Sequence, residues 1–218
     1  MEIHPQDGWF QPATRPEEQK LNIIAHRRNT VAELSATPVH HGVEVDIRSF
    51  GARLVIHHDP YVEGEDFESW MSAYRHGTLI LNVKEEGLEG RLLEIMQRRG
   101  VTNFFFLDQS FPFLVKWARN GESRCAVRVS EFECVETALS LAGMVQWTWI
   151  DCFTRFPLTT ESAARLRQAG FKLCLVSPEL QGRPAEVEIK QLRLTLTALQ
   201  ITADAVCTKR PDLWIAPI

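Results

Sequence analysis

Between Leu21 and Pro60 the chain sets His26-Arg27, the alternate acids Glu44 and Asp46, and His58-Asp59 just after short apolar runs that read as buried strands. Titratable groups at strand ends are the usual raw material of active sites, and imidazoles exchange protons near neutral pH. Residues i and i+2 of a strand share a face, so Glu44 and Asp46 point the same way. Two same-facing carboxylates on an apolar strand repel each other and are costly to bury unless a cation or a basic group neutralises them. Something positive is therefore expected beside them.

From Leu21 onward, short β-branched or aromatic runs alternate with helix-like segments, the pattern of a parallel α/β fold. Strands are expected near 21–26, 42–47, 78–84, 103–108, 124–129, 145–151, 171–177 and 203–208. Helices are expected over 87–99, with Leu88, Leu92, Ile95 and Met96 at helical spacing and Gly100 as the stop, and over 111–119, 131–142, 159–170 and from Pro184 to about Gln200. The βα module recurs eight times, and eight such units close most economically as a single-domain (β/α)8 TIM barrel. The rival is a doubly wound open sheet, which lacks support because no glycine-rich phosphate loop follows the first strand. Residues 1–20 read as an N-terminal arm, and 21–218 as the barrel domain.

In such a barrel the chemistry sits at the C-terminal ends of the strands. Polar groups close nearly every strand here: His26-Arg27, Glu44 and Asp46, Asn82 and Lys84, Asp108 and Ser110, Arg128 and Ser130, Asp151, Ser177 and Glu179, and Thr208-Lys209. So many unlike polar groups on one rim exceed what solvation requires.

Composition narrows the function. With 218 residues, 44% hydrophobic content and a net charge of -4, the chain can bury a full core but has no broad basic field, so nucleic acid is not an expected partner. The five cysteines form no CxxC or CxxxC pair and fall mostly in apolar runs, which reads as reduced core thiols in a cytoplasmic protein. No apolar stretch is long enough to span a bilayer, and the polar start is not a secretory signal. Walker, HExxH and GxSxG motifs are missing, which argues against nucleotide-dependent transfer and serine hydrolysis.

With these residues in view, the chain resembles the glycerophosphodiester phosphodiesterase family, within the phosphatidylinositol phospholipase C-like barrels. AHR at 25–27 with Asn29-Thr30 is similar to that family's HRG and ENT, EVD at 44–46 to its ExD, HD at 58–59 to its HD, and TKRP at 208–211 to its closing T-D/N-x-P. The similarity is strong over 21–86, weak through the middle, and returns at the last strand. It implies a phosphodiester hydrolase in which His26 and His58 are the acid/base pair and Arg27 and Lys84 bind phosphate. It also implies that Glu44, Asp46 and Asn82 hold Mg²⁺ or Ca²⁺, on a glycerophosphodiester or sugar-linked phosphodiester substrate. The chain departs from the pattern twice: Asn82 stands where the family has the glutamate of ExK, and Arg28 where it has glycine. An amide oxygen still binds a hard cation but removes one negative charge, so metal binding should be weaker. A metal-free site neutralised by Arg27 and Lys84, or a degenerate member that binds a phosphorylated polyol or glycan without turnover, are the alternatives.

Several residues have a plain structural reading beside the functional one. Asp46 could pair with Arg48 or Lys84. Only one of His57 and His58 should face the mouth, and the HD register favours His58. Trp147 and Trp149 share a face with Asp151 and read as packing rather than as a substrate platform. Asp108 stands as a further acid for the metal or as a substrate contact. Arg128 and Asp151 are either a mouth ion pair or substrate contacts, and Glu179 and Arg183 either hold a headgroup or cap the next helix.

Overall fold

The computed structural model describes residues 21–217. The expected arm over 1–20 lies outside the described residues. Eight parallel strands form a ring: β1 (Asn22–Ala25), β2 (Gly42–Phe50), β5 (Leu79–Val83), β6 (Phe104–Leu107), β7 (Ala126–Val129), β8 (Trp147–Ile150), β9 (Lys172–Val176) and β10 (Ala205–Thr208). Each pairs with the next, and β1 pairs with β10. The β6–β7 seam is held by a single bridge between Phe106 and Cys125. The expected eight staves and their closure into a (β/α)8 barrel are both present.

β2 runs beyond the ring. It turns at Gly51, whose φ of +61° suits glycine. It then returns as antiparallel β3 (Arg53–Ile56), which pairs with the short β4 (Glu65–Asp66) before α2 (Phe67–Ala73). The apolar run before His57 is thus a strand, but it folds back on β2 rather than forming a stave.

Alternation along the staves divides the protein into two cores. Ile24, Ile80, Phe105, Leu107, Ala126, Trp147, Trp149, Cys174, Val176, Ala205 and Cys207 form one cluster inside the ring. Trp147 stacks on Phe105 at 4.6 Å and Trp149 lies in the same cluster, so both tryptophans serve packing. The outward residues pack under the helices in a second, larger cluster. Gly42 is required where β2 enters the ring: a Cβ there would lie 2.6 Å from the Thr78 carbonyl oxygen and 2.9 Å from Ile24.

The remaining helices are α1 (Val31–Ser35), α3 (Glu89–Arg99), α4 (Phe111–Arg119), α5 (Val135–Leu139), α6 (Thr160–Gln168), α7 (Ala185–Ala198) and α8 (Pro211–Ile215). Thr30 with Glu33, and Thr159 with Ser162, form capping boxes that fix the starts of α1 and α6. α5 is shorter than the 131–142 expected, because the Ser130 hydroxyl accepts from the Phe132 and Glu133 amides and holds that stretch as a turn. Among the described residues no helix is long and apolar enough to cross a membrane.

Candidate active site

Where the apolar interior ends, the inward rows of β1, β2 and β5 turn polar. Glu44 and Asp46 are fully buried, and Asp46 lies in register with Asn82. Asn82 donates from Nδ2 to Glu44 Oε1 at 2.8 Å. The other oxygen, Oε2, accepts from the Arg27 backbone N–H at 2.7 Å and lies 3.8 Å from His26 Nε2. To bring its amide there, Arg27 adopts a left-handed backbone with φ +49°, rare for a side-chain-bearing residue.

Two cations answer Asp46. Arg27 Nε lies 3.3 Å from Oδ2 and Lys84 Nζ lies 3.4 Å from Oδ1. The positive partner expected from sequence is at least these two side chains. Asn29 completes the setting by donating to Asp46 Oδ2 at 2.9 Å while its own carbonyl oxygen accepts from the Asp46 N–H at 3.1 Å. Arg48 does not pair with Asp46. It donates to the carbonyls of His58 at 2.9 Å and Lys84 at 3.0 Å, bracing the loop after β3 against the end of β5. The sequence offers Asn29 only as part of a motif and Arg48 only as a partner for Asp46, because their actual partners are backbone and buried oxygens brought close by ring closure.

Burial, and then the charge of Asp46, push the Glu44 carboxyl well above the usual range despite Asn82, the Arg27 amide and Lys84. Burial, followed by the charges of Arg27, Lys209, Lys84 and Arg28, brings the His26 imidazole down to about 3, so it is neutral at pH 7. His58 has a different setting. It follows β3 on a loop, is about half exposed, and its Nδ1 lies 2.9 Å from Asp59 Oδ1. His57 also lies on this loop, its Nδ1 accepting from the Asp59 N–H at 3.0 Å. Both line a cavity of about 790 Å³ with Arg27, Asn29 and Glu65. Both lie past the strand end, where alternation no longer applies, so the pleat does not choose between them. His26 lies deeper, against Glu44.

The candidate substrate contacts are engaged with one another. Lys84 Nζ donates to Asp108 Oδ2 at 2.9 Å, Arg128 bonds Asp108 Oδ1, and Arg128 also lies 3.2 Å from Asp151 Oδ2. Gln181 donates to Asp151 Oδ1 at 2.7 Å. Asp108, like Arg27, has a left-handed backbone, with φ +59°. The ion pair read for Arg128 and Asp151 is present. Glu179 accepts from the Thr208 hydroxyl at 2.6 Å, the Lys209 N–H at 2.8 Å and the Ser177 hydroxyl, so it ties the end of β10 to that of β9. It does not cap α7, which begins after Pro184. Arg183 pairs with Glu188.

No family model matches the sequence, and no curated protein matches it. Solved structures do. A putative glycerophosphoryl diester phosphodiesterase from Agrobacterium tumefaciens superposes with a TM-score of 0.63 at 15% identity, over 89% of this chain and 96% of that one. A glycerophosphoryl diester phosphodiesterase from Parabacteroides distasonis gives 0.62 at 13% identity, over 90% and 85%. The chain has the fold of these diesterases. A tryptophan synthase structure from M. tuberculosis shares the barrel less closely, at 0.54 and 10% identity over 87% and 83%. At such identities the diesterase likeness establishes architecture, and the chemistry has to be argued from the side chains.

Among the described residues no three His, Cys, Asp or Glu side chains are grouped as a metal cluster. The available donor set is two carboxylates and an amide. Asn82 Oδ1 and Asp46 Oδ1 are buried with no hydrogen-bond partner, Lys84 standing 3.4 Å from the latter. Unpartnered buried oxygens beside a carboxylate pair suit a hard divalent cation, so the residues fit Mg²⁺ or Ca²⁺.

Proposed function

We propose that the protein is a phosphodiester hydrolase of the glycerophosphodiesterase kind, acting on a small glycerophosphodiester or sugar-linked phosphodiester. The observation that carries this reading is the buried Glu44–Asp46 pair, flanked by His26, Arg27 and Lys84 at the C-terminal mouth of the barrel. Glu44, Asp46 and Asn82 would hold the divalent ion. When bound, it supplies charge stabilisation for the phosphoryl oxygens.

The protein's own groups do the rest. Arg27 extends from Asp46 to the cavity and meets the phosphate oxygens, with Lys84 adding charge from the opposite side of Asp46. A substrate hydroxyl next to the phosphate attacks phosphorus and gives its proton to His26 at Nε2, the nitrogen turned toward Glu44, once the anionic phosphate offsets the cations that lower this imidazole. As the bond to the leaving oxygen breaks, His58 donates a proton from Nε2, its Nδ1 being held by Asp59. A cyclic phosphate forms and is released or opened by water through the same groups in reverse. The buried free thiols Cys125, Cys152, Cys174 and Cys207 support a reducing, cytoplasmic setting.

The test is turnover of bis(p-nitrophenyl) phosphate with Mg²⁺ or Ca²⁺. Release of nitrophenol that EDTA abolishes and His26→Ala removes supports the hydrolase. Binding of a phosphorylated polyol with no turnover under any divalent ion makes the protein a binder instead.

A further inference from the structure

β2 changes partners at Ile47. Up to that residue it lies in register with β5, from Val43 beside Leu79 to Ile47 beside Val83, and from Ile47 onward it pairs with β3, Ile47 beside Ile56 and Arg48 beside Val55. Both partner strands end at this fork, β5 at Val83 and β3 at Ile56. Lys84 follows the first end directly, and His58 follows the second after His57.

Arg48 spans the fork. It comes after Glu44 and Asp46 in the same alternation along β2, so it continues their row beyond the ring. Its Nε donates to the His58 carbonyl at 2.9 Å and its Nη1 to the Lys84 carbonyl at 3.0 Å. Main-chain bonding carries the two segments only part of the way. The His57 N–H reaches the Asp46 carbonyl at 3.1 Å, and the Lys84 N–H reaches the Ile47 carbonyl at 3.0 Å. From there to Asp59 the other hydrogen bonds of the loop run among His57, His58 and Asp59 themselves. Among the described residues, Arg48 is thus the one side chain from outside this loop that bonds His58.

Neutralising charge does not account for Arg48, because the Asp46 carboxylate is already met by Arg27, Lys84 and Asn29. Holding two carbonyls does. Guanidinium donors lie in one rigid plane and fix the separation of the oxygens they bind, and a charged donor makes a stronger hydrogen bond than a neutral one.

We propose that Arg48 is a positioning residue for the reaction: by tying the His58 backbone to the end of β5, it sets the separation between the proton donor and the phosphate-binding Lys84. This rests on the reading of His58 as the group that protonates the leaving oxygen. Such a proton matters in proportion to the basicity of that oxygen, since an alkoxide needs it to depart and a nitrophenolate does not.

The test uses the full chain and two glycerophosphodiesters that share the attacking glycerol hydroxyl and differ in leaving group, an ethyl ester and a p-nitrophenyl ester. Arg48→Met should lower kcat on the ethyl ester about 10²-fold with KM little changed, and its loss on the p-nitrophenyl ester should be at least about tenfold smaller. Arg48→Lys keeps the charge but cannot hold both carbonyls, so it should show the same selective loss. Histidine side-chain nitrogen resonances, with His58 assigned by its loss in His58→Gln, should move for His58 in Arg48→Met and stay in place for His76, which precedes β5 and bonds the Thr37 carbonyl at 2.9 Å. Equal losses on the two esters, full recovery in Arg48→Lys, or unmoved His58 resonances would overturn the positioning role and leave the hydrolase reading standing. Failure of the wild type to cleave either ester with Mg²⁺ or Ca²⁺ would defeat the hydrolase reading, and the proposal with it, whatever the resonances show.

Discussion

Asn82 donates to Glu44 inside the barrel at 2.8 Å, so an amide rather than a third acid completes the row facing the two carboxylates. The site thereby avoids a three-anion cluster in a buried setting, and on the proposed reading it would bind a divalent ion less tightly than three carboxylates do. Asn82→Asp should reverse that balance. Mg²⁺ or Ca²⁺ should bind about tenfold or more tightly, and the melting temperature in EDTA should fall because a third buried carboxylate is left unpaired. Melting curves with and without each ion read both effects.

Lys84 serves Asp46 and Asp108 at once. Lys84→Ala leaves the fully buried Asp46 with one fewer cation and breaks the bridge to the Asp108–Arg128 pair. The expected loss is about 3 kcal/mol of stability, in the range for breaking a buried pair. It should appear as a lower urea midpoint with the slope unchanged.

Gly42 touches Thr78 and Ile24 so closely that no side chain fits. Gly42→Ala would force the backbone of β2 away from the ring entrance. Destabilisation of about 1–3 kcal/mol or more follows from overpacking a rigid wall, read by thermal or urea unfolding.

Glu131 provides a pH test away from the mouth. Burial alone would raise its carboxyl, but the N–H groups of Thr154 and Arg155, its own amide and the Thr154 hydroxyl outweigh that and lower it to about 2. A carboxyl depressed in the folded state stabilises the fold above its unfolded pKa, and the contribution is lost as pH falls through the folded one. Glu131→Gln should therefore be less stable than wild type at pH 7, with the gap closing between about pH 4.5 and 2. A gap that is constant with pH contradicts the assignment.

Much of the architecture was legible in the sequence because each stave carries its own signal. β-branched and aromatic runs such as Leu79–Val83 and Phe104–Leu107 alternate with capped helices, and eight repeats leave few ways to close. The Glu44–Asp46 pair and its need for positive charge were legible for the same reason, since i and i+2 share a face. The antiparallel excursion of β3 and β4 was not, because Arg53–Ile56 has the same apolar look as a stave and only Gly51 hints at the reversal. Nor was the bridge that Arg128 makes between Asp108 and Asp151. Its partners come from staves far apart in sequence and are fixed only by the ring's register.

The central claim is that the mouth cleaves a phosphodiester with His26 taking the attacking proton. Phosphorus NMR of a glycerophosphodiester incubated with Mg²⁺ or Ca²⁺ and either wild type or His26→Ala tests it most directly. The account predicts that wild type converts the diester signal to a cyclic phosphate or a monoester, and that His26→Ala does so about 10² to 10⁴ times more slowly. An untouched diester with wild-type protein, or equal rates for the two proteins, would contradict it.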